Sequence, residues 1–339
     1  MFSALVSATL FSCFSSVFAA PAYKAGGSIS QNALTAKLSE DGIRLFQLAN
    51  FLENMEAAFF TQGAKNYTDG VWRSGDVNGV RNIDVVMRIA EQEQVHVQSI
   101  ESLLQTNGAQ PVQPCQYSFP VVDEKSFLAL ASIITNVGIG ALIDLDATLP
   151  YTDSRLEATI ASIIPVEARH DAFFRLYAKE VPNPSAFATQ ISGIWAYNLA
   201  LDFVVPGSCK AIPKAISSLP IYPDLVIQGA GAASFANPDA PGSLTFRVGQ
   251  ENLMPQGSAG KQYYIGWLNE EGLPKYTKAT VSGTDSRTYT ADVPSGLFGQ
   301  AYAVLTEQNQ ATNVGDLTAK TVAGPVPIPL GPGDIQLGE

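Results

Sequence analysis

The chain contains two histidines, and each stands three residues after a glutamate: Glu93 and His96 in RIAEQEQVH, Glu167 and His170 in IPVEARH. On a helix, positions three apart share a face, so a carboxylate and an imidazole at this spacing can meet one cation. Two helices of this kind in a four-helix bundle, joined by a glutamate from each of the other two, build a two-metal site. The carboxylates can bridge two ions and offset their charge, and each imidazole terminates one ion. A site of that kind reacts with oxygen or peroxide at iron or manganese. The alternative for His96 and His170 is a hydrogen-bonded core histidine. Recurrence of one spacing in two helical contexts favours ligation.

Such residues need a bundle to bring them together. The three-four apolar rhythm of Leu45, Leu48, Leu52, Met55 and Phe59 predicts a first helix over residues 35–62. Glu53 and Glu56 fall inside that stretch, so at least one is expected to point inward and join the ligands. Residues 63–80 are rich in Gly, Asn and Asp and read as a loop, carrying the glycosylation sequon Asn66-Tyr67-Thr68. A second helix is expected over 82–106, then a proline-rich crossover, QPVQPCQYSFP. A third covers 124–149, with Asp123 as N-cap and Pro150 as stop. The fourth covers 153–179. Pro165 lies just before Glu167, so this helix either kinks there or restarts. A fifth helix is expected over 186–203.

From about residue 224 the texture changes to short Val, Thr, Tyr and Phe runs between Gly, Pro and Asp turns. Strands are expected at 244–248, 262–268, 276–281, 288–293 and 302–306, which suits a small immunoglobulin- or fibronectin-like β-sandwich. The later GPVPIPLGPGD run could add an edge strand. Trp267, Tyr263 and Tyr264 could stack on sugars of a cell wall, although aromatic residues are also ordinary strand core.

Hydrophobic residues make up 46% of the chain, enough for a sizeable core, and the net charge of −11 argues against nucleic acid or an anionic membrane as partner. Residues 1–19 read as a signal peptide, with Val17-Phe18-Ala19 meeting the small-x-small rule. Cys13 leaves with it. Cys115 and Cys209 then have one connectivity, expected to be bonded in an oxidising compartment. The apolar run 127–145 carries Asp144 and suits a buried bundle helix better than a membrane span. The expected organisation is a signal peptide (1–19), a helical bundle (33–210), a linker (211–223), a β domain (224–323) and a proline- and glycine-rich tail (324–339). Oligomeric state is left open.

These segments resemble the secreted ferritin-like proteins of fungi known as stress-response or late sexual development proteins, whose superfamily includes plant desiccation-related proteins. LANFLENMEAAFF is similar to their first-helix signature, RIAEQEQVH to the second, FLALASIITNVGIGAL to the third and IIPVEARHDAFFR to the fourth. PSGLFGQAYAVLTEQ resembles the C-terminal region of fungal members. The resemblance spans about residues 33–323. It implies an all-α ferritin-like four-helix bundle with one long crossover, to which the strand pattern adds the small all-β immunoglobulin/fibronectin-like sandwich. It also implies secretion, an extracellular or cell-wall setting, and metal ligands Glu53, Glu56, Glu93, His96, Glu167 and His170. It is less specific for an activity.

One departure bears on the metal. The family's third helix usually reads Leu-Glu-Asn-Val-Gly, whereas this chain has Ile134-Thr135-Asn136-Val137-Gly138. A neutral hydroxyl neither bridges two ions strongly nor offsets their charge. Asp144 lies about 13 Å further along at helical rise, too far to replace position 135, though it could orient a histidine. The expectation is therefore one iron or manganese ion, a weak pair, or none. The competing reading is a non-catalytic extracellular structural or interaction protein.

Overall fold

The computed structural model describes residues 37–229, 242–249, 261–282 and 287–331. The signal peptide and residues 332–339 of the C-terminal tail expected from the sequence lie outside these; residues 324–329 of that tail belong to a strand. Four long helices form the bundle: α1 (Glu40–Thr68), α2 (Asn82–Thr106), α3 (Glu124–Thr152) and α4 (Glu157–Tyr177), the last preceded by a 3-10 turn at Ser154–Leu156. Helix α1 pairs with α2, and α3 with α4. Ser39 caps α1 by accepting from Gly42 N, and it also donates to Asp153 at the α3–α4 turn (2.7 Å). Asp123 caps α3, as its position in the sequence suggests, by accepting from Ser126 N.

Several boundaries differ from the expected ones. Helix α1 continues to Thr68, so the sequon sits in its last turn rather than in a loop. Gly63 reads as a breaker but is buried against the Phe127 ring, where a Cβ would stand 2.2 Å from Cζ. After it, a two-residue hairpin, β1 (Asp76–Val77) and β2 (Val80–Arg81), turns through Asn78 and Gly79, both at positive φ. Pro150 does not stop α3, because in a last turn the missing N–H removes only one hydrogen bond. Helix α4 runs through Pro165 as one element. The fifth helix shrinks to α5 (Gly193–Leu201), followed by the short α6 (Lys214–Ser217).

The crossover between α2 and α3 is fastened to the bundle. Asn50 accepts from Val112 N (2.8 Å), Asn54 donates to Val112 O (2.9 Å), and Cys115 is disulfide-bonded to Cys209. Helix α3 is long and apolar enough to cross a membrane by composition alone, but 56% of its most apolar window is buried inside the bundle.

The second layer corrects the sandwich expected from the sequence. Strands β3 (Leu225–Gln228), β4 (Ser243–Val248), β5 (Tyr263–Asn269), β6 (Lys275–Val281), β7 (Thr288–Asp292), β8 (Gln300–Thr306) and β9 (Thr321–Pro329) form one antiparallel sheet in the order β3-β4-β7-β6-β5-β8-β9. A short helix, α7 (Val314–Ala319), precedes β9. A sandwich needs two sheets; here one sheet curls until its end strands meet. Gly324 N donates to Pro223 O beside β3 (2.9 Å), and a Cβ at Gly324 would touch Leu225. The result is a near-closed barrel. Trp267 and Tyr263 are in its core, where neither can stack on a sugar.

Bundle and barrel share apolar packing. Along β8 the residues alternate: Ala301, Ala303 and Leu305 face the barrel interior, while Tyr302 and Val304 join the cluster around Phe51, Phe174 and Trp195. That is why QAYAVLT reads as a continuous buried run rather than a half-exposed strand.

Candidate metal centre

The bundle brings Glu53 and Glu56 on α1, Glu93 and His96 on α2, Thr135 on α3, and Glu167 and His170 on α4 into its interior, and all seven are buried. Nδ1 of His96 lies 3.2 Å from Glu93 Oε2, 3.4 Å from Glu167 Oε1 and 3.5 Å from Glu53 Oε2. Nδ1 of His170 lies 3.1 Å from Glu167 Oε2 and 3.4 Å from Glu93 Oε1. Glu93 and Glu167 therefore each present one oxygen to each histidine. Two overlapping ligand groups result, Glu53–Glu93–His96 and Glu93–Glu167–His170, each with its donor atoms within 4.8 Å of one another. Glu56 stands beside these groups and belongs to neither.

The donors fit a cation. Glu53 Oε2, Glu93 Oε1 and Glu167 Oε1 are buried without a hydrogen bond, and each is an oxygen that faces an imidazole nitrogen at 3.4–3.5 Å. Buried carboxylates without partners are costly, and a cation removes that cost. Two carboxylates shared between two imidazoles suit hard-to-borderline ions such as iron or manganese. Bound there, such an ion would supply electron exchange with oxygen or peroxide. The chain's own part is to hold the five ligands in place and to keep bulk water from them.

In the metal-free protein the same crowding shifts protons. Burial, then the charges of Glu93, Glu167 and Glu53, hold the Glu56 carboxyl well above its ordinary 4.5. Burial and Glu167 do the same to Glu93. Burial alone would lower His96, but Glu53 and Glu93 outweigh it and push the imidazole up to about 12.

The two halves are not equivalent. Glu53 serves the His96 half. The corresponding position on α3 is Thr135, whose buried hydroxyl has no partner. One turn along α3, Gly138 leaves space that the Glu56 carboxylate fills, since a Cβ there would be 2.6 Å from Glu56 Oε1.

Three features were not read from the sequence. Gln92 Oε1 lies 2.9 Å from His170 Nε2, on the far side of the ring from Nδ1, which faces the carboxylates. Asp171 accepts from Ser132 Oγ and Asn136 Nδ2, both at 2.7 Å, tying α4 to α3 beside His170. Their only sequence signal is adjacency to Glu93 and His170. The third is the role of Asp144, which does not orient a histidine: it accepts from Gln190 Nε2 (2.8 Å) and Gly193 N (3.2 Å). The His170 half opens between α2 and α4 through a cleft whose lining mixes Val85, Ile89 and Val166 with Asp84, Arg88, Gln92 and Arg169.

Compared with known proteins, residues 41–180 match the model of the ferritin-like domain. No curated protein gives a significant match to the chain. The matched segment begins at the start of α1 and ends just past α4, so it contains every residue of the two groups that could hold a metal ion. The chain thus carries a ferritin-like domain at residues 41–180, with a buried carboxylate–histidine cluster able to hold a metal ion.

Proposed function

We propose that this is a secreted metal protein whose ferritin-like domain holds iron or manganese through Glu53, Glu93, His96, Glu167 and His170, with Glu56 supplying the carboxylate that Thr135 lacks. The observation that carries this reading is the way Glu93 and Glu167 each face both histidines. Support for secretion comes from the apolar N-terminal 19 residues and from the pairing of Cys115 with Cys209. In this reading Asn66 is a glycan acceptor. The four helix signatures support a kinship with the fungal stress-response or late sexual development proteins.

The test is elemental analysis of protein secreted from a eukaryotic host, before and after anaerobic loading with Fe(II) or Mn(II). The expected result is one to two equivalents of metal, lost when Glu93 and Glu167 are changed to Ala. No metal above trace after loading would overturn the reading. Thr135 favours a second one, in which the bundle is a retained scaffold for an extracellular structural role, and that result would support it.

A further inference from the structure

A second cleft reaches the cluster from the side opposite the one between α2 and α4. It runs between α1 and α3, and its volume is about 530 Å³ counting the part open to solvent. Its walls are Leu45, Leu48 and Leu52 from α1, and Ala141, Leu142 and Leu145 from α3. Glu53, Glu56 and Glu167 also line it. These three acids are buried whereas Leu45 and Leu48 are half-buried, so the acids lie at the inner end and the leucines at the mouth.

We propose that this cleft admits a neutral, unbranched alkyl chain whose leading end reaches the carboxylates. Its role as a substrate rests on the metal reading above; its binding does not. The walls supply apolar contact along about 12 Å of α1 from Leu45 to Glu53 at helical rise, the reach of a medium-length alkyl chain. The bore is narrow. Gly193 comes so close that a Cβ there would stand 2.7 Å from Leu48 Cδ2, and Gly138 is closed in the same way by Glu56. A branched molecule would have to displace these contacts. Charge narrows the choice further. No Lys or Arg is among the described residues lining the cleft, while Asp144 joins the three glutamates, so an anion is repelled. A hydrated cation would lose its water shell against leucine walls. What remains is an uncharged chain, a class the sequence alone did not suggest.

The test is calorimetric titration of the metal-free full chain with 1-hexanol, 1-heptanol and 1-octanol, and with 2-ethylhexan-1-ol as the branched isomer. Each added methylene is expected to tighten binding about fourfold, the free energy of burying one CH₂. Ala141→Phe, which fills the bore, is expected to weaken octanol binding at least tenfold. Leu48→Trp at the half-buried mouth should do the same, and it guards against a folding defect in the first variant. Equal binding of the branched isomer, no dependence on chain length, no saturable binding at all, or full binding in both variants would each overturn the proposal. Metal analysis on the same samples separates the two readings. Alcohol binding without metal uptake leaves the cleft assigned and removes the metal; metal uptake without alcohol binding does the reverse.

Discussion

Glu56 packs against Gly138 so closely that one added carbon at position 138 would stand 2.6 Å from its Oε1. The glycine gives helix α1 room to place a second acid where α3 presents only Thr135. Gly138→Ala should push Glu56 aside and weaken metal binding about 10- to 100-fold, the usual cost of disturbing groups next to a metal. Glu56→Gln should give a similar loss. The double variant should lose no more than either alone, which competition titration against a chelator would show.

Thr135→Glu reverses the trade. In the metal-free protein it adds another buried acid without a partner, and stability should fall by at least about 2 kcal/mol in denaturant melts. On loading, the His170 half gains a carboxylate, so metal content should rise towards two equivalents and the stabilisation by metal should exceed that of the parent chain. A variant that is no less stable when metal-free would show that Thr135 does not face the cluster.

The shifted protons fix a pH dependence for the metal-free protein. Glu56 and Glu93 have folded values raised above 4.5, so in the window above 4.5 the folded state binds more protons than the unfolded one. His96 acts in the same direction: its contribution is full below 6.5 and is lost as pH rises towards about 12. Both effects make metal-free stability fall as pH rises. Metal displaces these protons, so affinity should climb over the same range. Thermal melts from pH 5 to 9, with and without metal, should therefore diverge with increasing pH.

Tyr302 is fully buried at the bundle–barrel contact, and its hydroxyl has no hydrogen-bond partner. Tyr302→Phe removes a buried polar group without a cavity. Stability should stay level or rise by about 1 kcal/mol in equilibrium unfolding. A loss of that size would reveal a partner for the hydroxyl.

The carboxylate–histidine cluster was legible because two Glu-x-x-His helices in one bundle turn both histidines, the chain's only two, and their glutamates towards a common interior. Helix α2 was legible to the residue, since apolar rhythm and flanking loop signals coincide there. Helix α1 was misjudged at Gly63, where a missing side chain serves packing against Phe127 rather than a turn. Alternation located five strands but not their closure, because a strand of a sandwich and one of a barrel carry the same period. The difference rests on β3 and β9, one short and one proline-rich, meeting across the gap. Gln92 and Asp171 were hidden for a related reason. Their partners lie 78, 39 and 35 residues away, beyond any local pattern.

The bond between Cys115 and Cys209 spans 94 residues and encloses α3 and α4, leaving α1 and α2 outside the ring. The stretch joining α4 to α5 lies within that ring and is exposed at Lys179, Glu180 and Val181. A protease that nicks the chain there leaves two pieces still linked through sulfur, and the piece bearing α5 and the barrel cannot drift away from the helices that carry Glu167 and His170. Clipped protein would run as one band on a gel without reductant and as two with it, and it could keep its ligands in place long after its backbone had been cut.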